Sequence, residues 1–185
     1  MLKDLIEKSF YQNKELNQLT LTRLKKNIIN GSSILKKKIS KKKNIFWCGN
    51  GGSATQADHL STELLGRFKK NRKPINSISL TSNTSYLTCV SNDFNFEKVF
   101  SRQIEAFGKK NDLLIIISTS GNSKNLIEVA KIAKKKKIYV IGLLGKGGGR
   151  VKKFCDLKMI IPSEKTTRIQ EFHLLIGHIM CEFVD

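Results

Sequence analysis

Proline occurs only twice in 185 residues, acidic side chains number 15 against 34 lysines and arginines, and long apolar runs are missing. The longest such runs, at 113–117 and 138–144, are strand-sized and fall well short of the roughly 20 residues needed to cross a bilayer. The opening stretch MLKDLIEKSFYQNKEL mixes acids and bases at helical spacing and has no apolar h-region, so no signal peptide is expected and the predicted location is cytoplasmic. The four cysteines, Cys48, Cys89, Cys155 and Cys181, include no CxxC pair. Their scatter argues against a zinc ribbon, a thioredoxin-like motif or a secreted disulfide framework and predicts reduced, mostly buried thiols. Histidine is scarce too: His59, His173 and His178 are the whole supply.

Basic residues, by contrast, are abundant, and the formal charge is +19. The lysines fall in runs at 36–43, 69–73 and 134–137, each where a helix is expected to end and a strand to begin. Helix C-termini favour cations through the macrodipole. No aromatic residues interleave these runs as a stacking platform would require, so solvated helix ends are the favoured reading and a nucleic-acid surface is not expected. Abundant lysine, isoleucine and asparagine also fit a genome-wide nucleotide bias.

At 39% hydrophobic residues the chain is long enough for one full core and too short for two ordinary domains. Residues 2–28 place Leu2, Leu5, Ile6, Phe10, Leu16, Leu19, Leu24 and Ile28 at mostly three- and four-residue intervals, which predicts one or two amphipathic helices. Helical pattern continues through Ile34, Leu35 and Ile39, with Gly31 weakening its middle. From residue 44, short apolar runs at 45–48, 75–80, 113–118, 138–143 and 157–161 alternate with helical stretches. The expected fold is therefore α/β: a doubly wound, flavodoxin-like five-stranded parallel sheet preceded by N-terminal helices. Residues 1–43 would form a helical segment packing on the core and on an oligomer interface, and 44–185 the α/β domain.

Ligands of such sheets bind beyond the carboxyl ends of the strands. After the first strand comes GNGGS (49–53), after the second TSNTS (81–85), after the third STSGNS (118–123) and after the fourth GKGGG (145–149). Gly49, Gly51 and Gly52 permit close backbone approach, so that main-chain N–H groups and the Ser53 hydroxyl can surround an anion at a helix start. STSGNS offers Ser118, Thr119, Ser120 and Ser123 hydroxyls for the same purpose; hydroxyls that merely cap the helix are the alternative. Gly49, Gly51 and Ala54 also fit a relaxed dinucleotide fingerprint, but KKNRKP stands where an acidic ribose partner belongs. Lysines there leave a 2′-phosphorylated nicotinamide cofactor as an alternative. A Walker A loop is excluded, because Gly147 follows Lys146 and Val140 takes the first glycine position.

His59 and Glu63 lie four residues apart, hence on one side of the helix that follows GNGGS. They are a candidate reactive pair and a candidate two-ligand metal face. The final helix, expected from about Thr167, carries Gln170 and His178 two turns apart, their Cα atoms about 12 Å from one another. An ion shared by both would sit between their side-chain tips, unless one ligand came from a neighbouring subunit. Taken alone, His178 also fits a buried core or interface histidine.

Together CGNGGSA (48–54), H-x-x-x-E (59–63), ELLGRF (63–68), SNDF (91–94), STSGNS (118–123) and RIQEFH (168–173) followed by His178 resemble the bacterial sedoheptulose-7-phosphate isomerases, or phosphoheptose isomerases, of the sugar-isomerase (SIS) domain superfamily. The resemblance covers nearly the whole chain. It implies an SIS fold, a homotetramer with active sites at subunit interfaces, and interconversion of D-sedoheptulose 7-phosphate and D-glycero-D-manno-heptose 7-phosphate through an enediol. The product would feed lipopolysaccharide or other surface-glycan heptose. The resemblance further implies Glu63 and His178 as the acid/base pair. Substrate contacts would come from Asn50, Gly51, Gly52, Asn92, Asp93, Ser118, Thr119, Ser120 and Ser123, joined by Ser53, His59, Glu63 and Gln170. It also implies Zn2+ on His59, Glu63, Gln170 and His178. Thr167 replaces an aspartate that many members carry before RIQE. A related non-catalytic SIS protein that binds a DNA replication initiator is the alternative reading, and a basic surface would suit it.

Overall fold

The computed structural model describes residues 1–185. Its first element, α1, is one continuous helix from Leu2 to Ser40, not two helices loosened at Gly31. Gly31 is buried where α1 crosses the last strand, and a Cβ there would stand 2.2 Å from Met159 Cε. Close packing thus holds the helix through a residue whose intrinsic preference costs about 1 kcal/mol. Leu16, Leu24 and Leu35 turn into the core, whereas Leu2, Leu5, Ile6, Phe10 and Tyr11 remain exposed.

The remaining elements follow as β1 (Ile45–Cys48), α2 (Gly52–Leu65), β2 (Ser77–Ser79), α3 (Thr84–Asp93), α4 (Ser101–Phe107), β3 (Leu113–Ser118), α5 (Lys124–Lys135), β4 (Tyr139–Leu144), β5 (Leu157–Ile160) and α6 (Thr166–Val184). All strand pairs are parallel, in the order β2-β1-β3-β4-β5. The edge strand β2 is shorter than its apolar run because the Ile75 N–H is taken by the Leu64 carbonyl at the end of α2. Period-two alternation divides the core. Ile45, Trp47, Leu113, Ile115 and Ile117 face α1, α2 and α6, while Phe46, Cys48, Leu114 and Ile116 face α4 and α5. All four cysteines are free, and Cys89 alone is exposed. Burial pushes the Cys155 and Cys181 thiols up to about 12 and Cys48 higher still.

Helices α2 and α6 lie side by side on one face, and their contact is set by Gly177, where a Cβ would fall 2.3 and 2.7 Å from the two methyls of Leu60 and 3.1 Å from its Cγ. Leu60 is fully buried and cannot yield. Gly177→Ala is therefore expected to destabilise the fold by about 1–3 kcal/mol, read as a lower urea midpoint at unchanged m-value. A midpoint equal to wild type would show that the two helices can separate freely.

Candidate active site

The order of the strands reverses between β1 and β3, which opens a crevice beyond their carboxyl ends. GNGGS and STSGNS lie on its two sides and are joined by a reciprocal amide pair, Asn50 and Asn125 each donating to the other's carbonyl at 2.9 Å. Gly51 has φ 53 and is the N-cap of α2, with no side chain capping the helix. Ser123 is the N-cap of α5, yet its hydroxyl does not cap it either. Two helix starts without side-chain caps thus point toward the same crevice, the arrangement that suits an anion. Within STSGNS the Ser118 hydroxyl accepts from Gly121 N–H and the Ser120 hydroxyl from Asn122 N–H. Gly121, at φ +63, lies so close to the loop after β4 that a Cβ would meet the Gly148 carbonyl oxygen at 2.1 Å.

Seven residues beyond Gly52, and so about 10 Å along α2, His59 meets Glu63 and His178. His59 Nε2 lies 3.3 Å from Glu63 Oε1 and 2.8 Å from His178 Nε2. The ligand atoms of the three residues all fall within 4.8 Å of one another. The His178 ring is stacked on Phe68 and meets His59 edge-on. The His59 side chain is 46% exposed and Glu63 19%, so the group opens to solvent on one side. Two imidazole nitrogens and a carboxylate oxygen are a donor set that holds a metal ion with a position left open. Tetrahedral ligands at zinc distances stand about 3.3 Å apart; His59 and Glu63 already have that spacing, the two imidazoles need to part by about half an ångström, and the remaining pair, Glu63 and His178, is within 4.8 Å.

These three groups come from one chain, so the neighbouring subunit that the two-turn spacing of Gln170 and His178 left open is not needed to bring His178 to His59. Gln170 sits at the other end of the α2–α6 contact, its amide against Gly52, while its main-chain carbonyl accepts from the Gln56 amide at 2.7 Å. Asn92 and Asp93 are exposed at the end of α3, a helix that packs mainly on the turn at 96–98. Asn92 donates to Asp93, and so does the Cys89 thiol. These two bonds, Asn92 first, hold the Asp93 carboxyl below its ordinary range.

Two features were not apparent from the sequence. Asn125 gave no signal beyond following STSGNS. Arg72 lies inside a basic run read as solvated, but its guanidinium caps α2 by donating to the Glu63 and Leu64 carbonyls and pairs with Asp185 at 2.9 Å. Asp185 also accepts from the Lys69 and Lys70 N–H groups. The backbone of Glu63 is thereby tied to the end of α6, the helix that carries His178.

His173 lies wholly inside the protein with neither ring nitrogen hydrogen-bonded. Burial lowers its pKa to about 4, and the Leu144 backbone, close to the ring but outside hydrogen-bond geometry, opposes that shift only in part. A folded value below the unfolded 6.5 means that this group's contribution is complete above pH 6.5 and is lost as pH falls toward 4. The loss by pH 4 is expected to be about 3 kcal/mol. His173→Leu should remove that slope in urea titrations between about pH 7 and 4.5; an unchanged slope would assign it to other groups.

An SIS domain model matches residues 10–145. Phosphoheptose isomerases from a Nitratiruptor species and from Campylobacter jejuni are 45% and 46% identical, over 97% and 98% of this chain and 96% and 97% of their own. The solved structure of phosphoheptose isomerase from Neisseria gonorrhoeae superimposes with a TM-score of 0.95 at 34% identity, covering 100% of this chain and 99% of that one. No helix is long and apolar enough to cross a membrane. With uncapped helix starts flanking the crevice and a His–Glu–His group two turns along, the chain belongs to the phosphoheptose isomerase family of SIS-domain proteins.

Proposed function

We propose that the protein interconverts D-sedoheptulose 7-phosphate and D-glycero-D-manno-heptose 7-phosphate, supplying heptose for lipopolysaccharide or other surface glycans. The observation that carries this reading is the pairing of two features at one crevice: two helix starts without side-chain caps, and a His–Glu–His group about 10 Å along α2 from the first of them. The phosphate of the substrate would rest on the start of α5 and the Ser118, Thr119, Ser120 and Ser123 hydroxyls, and its carbon chain would run from there toward His59, Glu63 and His178. Its hydroxyls would meet Asn50, Gly51, Gly52, Ser53, His59 and Gln170. Binding energy from the unreactive end then orients the reacting carbons.

Aldose–ketose exchange moves a proton between C1 and C2 and needs a base for carbon and an acid for oxygen. Glu63, the carboxylate of the group, is the base; His178, braced on Phe68, exchanges protons with the substrate oxygens. Zinc is the proposed metal: His59, Glu63 and His178 would hold it, and Gln170, whose amide now rests against Gly52, is the further ligand proposed. When bound it would polarise the carbonyl and stabilise developing oxyanion charge.

The assembly is proposed to be a homotetramer. Leu2, Leu5, Ile6 and Phe10 of α1 and Leu175, Ile179 and Phe183 of α6 are exposed apolar side chains that a second copy would cover. Asn92 and Asp93, exposed at the end of α3, would then serve a neighbour's site. Four free cysteines suit a reducing cytoplasm.

The direct test is incubation of the purified protein with sedoheptulose 7-phosphate, with and without zinc; folded protein that forms no aldose in either case would overturn the reading. In the same assay Ser120→Ala is expected to raise KM about tenfold at nearly constant kcat, since it removes a contact to the unreacting end. A fall in kcat alone would move Ser120 from binding to chemistry.

A further inference from the structure

At the amino ends of β1, β3 and β4, on the side of the sheet away from the cleft, the end of α1 frames a concave pocket of about 300 Å3. Lys37, Lys38, Lys41 and Lys43 line it together with Asn111 and Tyr139, and no carboxylate does. Lys38 is fixed in place: its ammonium donates to the Asn111 carbonyl at 2.8 Å and stands over Tyr139, 5.5 Å from the ring centroid. None of the four lysines forms an ion pair.

Asp112, the acid whose charge acts on Lys38, is already committed. Its oxygens accept from the Asn44 and Lys109 N–H groups and from the Asn44 amide. Burial first, and then the charges of Lys43, Lys37 and Lys41, lower the Lys38 pKa against the pull of Asp112. The C-terminus of α1 offsets only about half a charge, so helix capping accounts for one lysine here and not for four. A cleft lined by one sign of charge concentrates its field on a small counter-ion. The concave shape suits a compact polyanion better than the flat face of an acidic protein.

We infer that this pocket is a binding site for an oligophosphate group, a chain of two or three linked phosphoryls, carried either by a free inorganic polyphosphate or by a nucleotide. The site is separate from the sugar-phosphate seat and does not depend on the isomerase reading. Three or four ammonium groups around one volume match adjacent phosphoryl oxygens, and Lys38 is held ready by Asn111 and Tyr139.

The test is calorimetric titration of the full chain with tripolyphosphate and, separately, with ATP. One site per chain is expected. Its affinity should fall at least tenfold in Lys37→Gln/Lys41→Gln and less in Lys43→Gln alone. It should stay within twofold in Lys25→Gln/Lys26→Gln, which removes the same charge elsewhere on α1, and in Ser120→Ala, which alters the catalytic loop. A tighter ATP than tripolyphosphate isotherm would point to a nucleotide, and the reverse to the inorganic chain. Absence of binding at millimolar ligand, equal loss in the control pair, retention in Lys37→Gln/Lys41→Gln, or tighter binding of a single-stranded oligonucleotide at these lysines would each overturn the inference.

Discussion

Glu63→Gln is expected to lower kcat about a thousandfold, in the middle of the range for losing a positioned general base, while KM changes by no more than a few fold. The carboxylate is 19% exposed and stands 3.3 Å from His59 Nε2. Glutamine keeps the shape and a carbonyl oxygen but cannot accept the carbon-bound proton. Arg72 holds the Glu63 backbone rather than its side chain, so the fold should survive and substrate affinity can be measured directly. Zinc content must be measured on the same sample, since the same oxygen is a candidate ligand. A variant that turns over within tenfold of wild type would remove Glu63 from the base role.

His178→Ala comes next in size, with kcat reduced about a hundredfold or more. The imidazole is one of the three groups whose ligand atoms converge, and it is also the proposed acid at oxygen. Its loss leaves His59 and Glu63 on a single helix face, with the Gln170 amide against Gly52 at the far end of the α2–α6 contact, and such a set should release metal on dialysis. Metal analysis of dialysed protein, run beside the kinetics, separates the two contributions. Metal retained with activity lost would make His178 an acid alone, and full activity would exclude it from both tasks.

The sheet was legible because its signal is local. Leu113 to Ser118 alternates between two buried faces and reads as a strand without reference to anything else. The pairing of His59 with Glu63 was legible for the same reason, since four residues make about one helical turn. What escaped notice depends on how elements cross. Nothing near Gly31 announces that Met159 and Leu157 will pack against it and carry α1 through unbroken. Nothing in the spacing of Gln170 and His178 says which chain supplies them; that follows from the approach of α6 to α2 at Gly177. Arg72 resembles its lysine neighbours in composition and differs from them only in finding carbonyls at the end of α2 within reach.

The backbone contact between Gly121 and the glycines after β4 bears on how this fold can be altered. A Cβ at Gly149 would meet the Ser120 carbonyl oxygen at 2.3 Å, and one at Gly121 the Gly148 carbonyl oxygen at 2.1 Å. The two loops therefore behave as a single casting, and grafting one of them from a relative with a different sugar preference would bring a mismatched surface against the other. Redesign for shorter or longer substrates has to exchange both loops together, or else work from the α2–α6 side, where side chains rather than main chain meet.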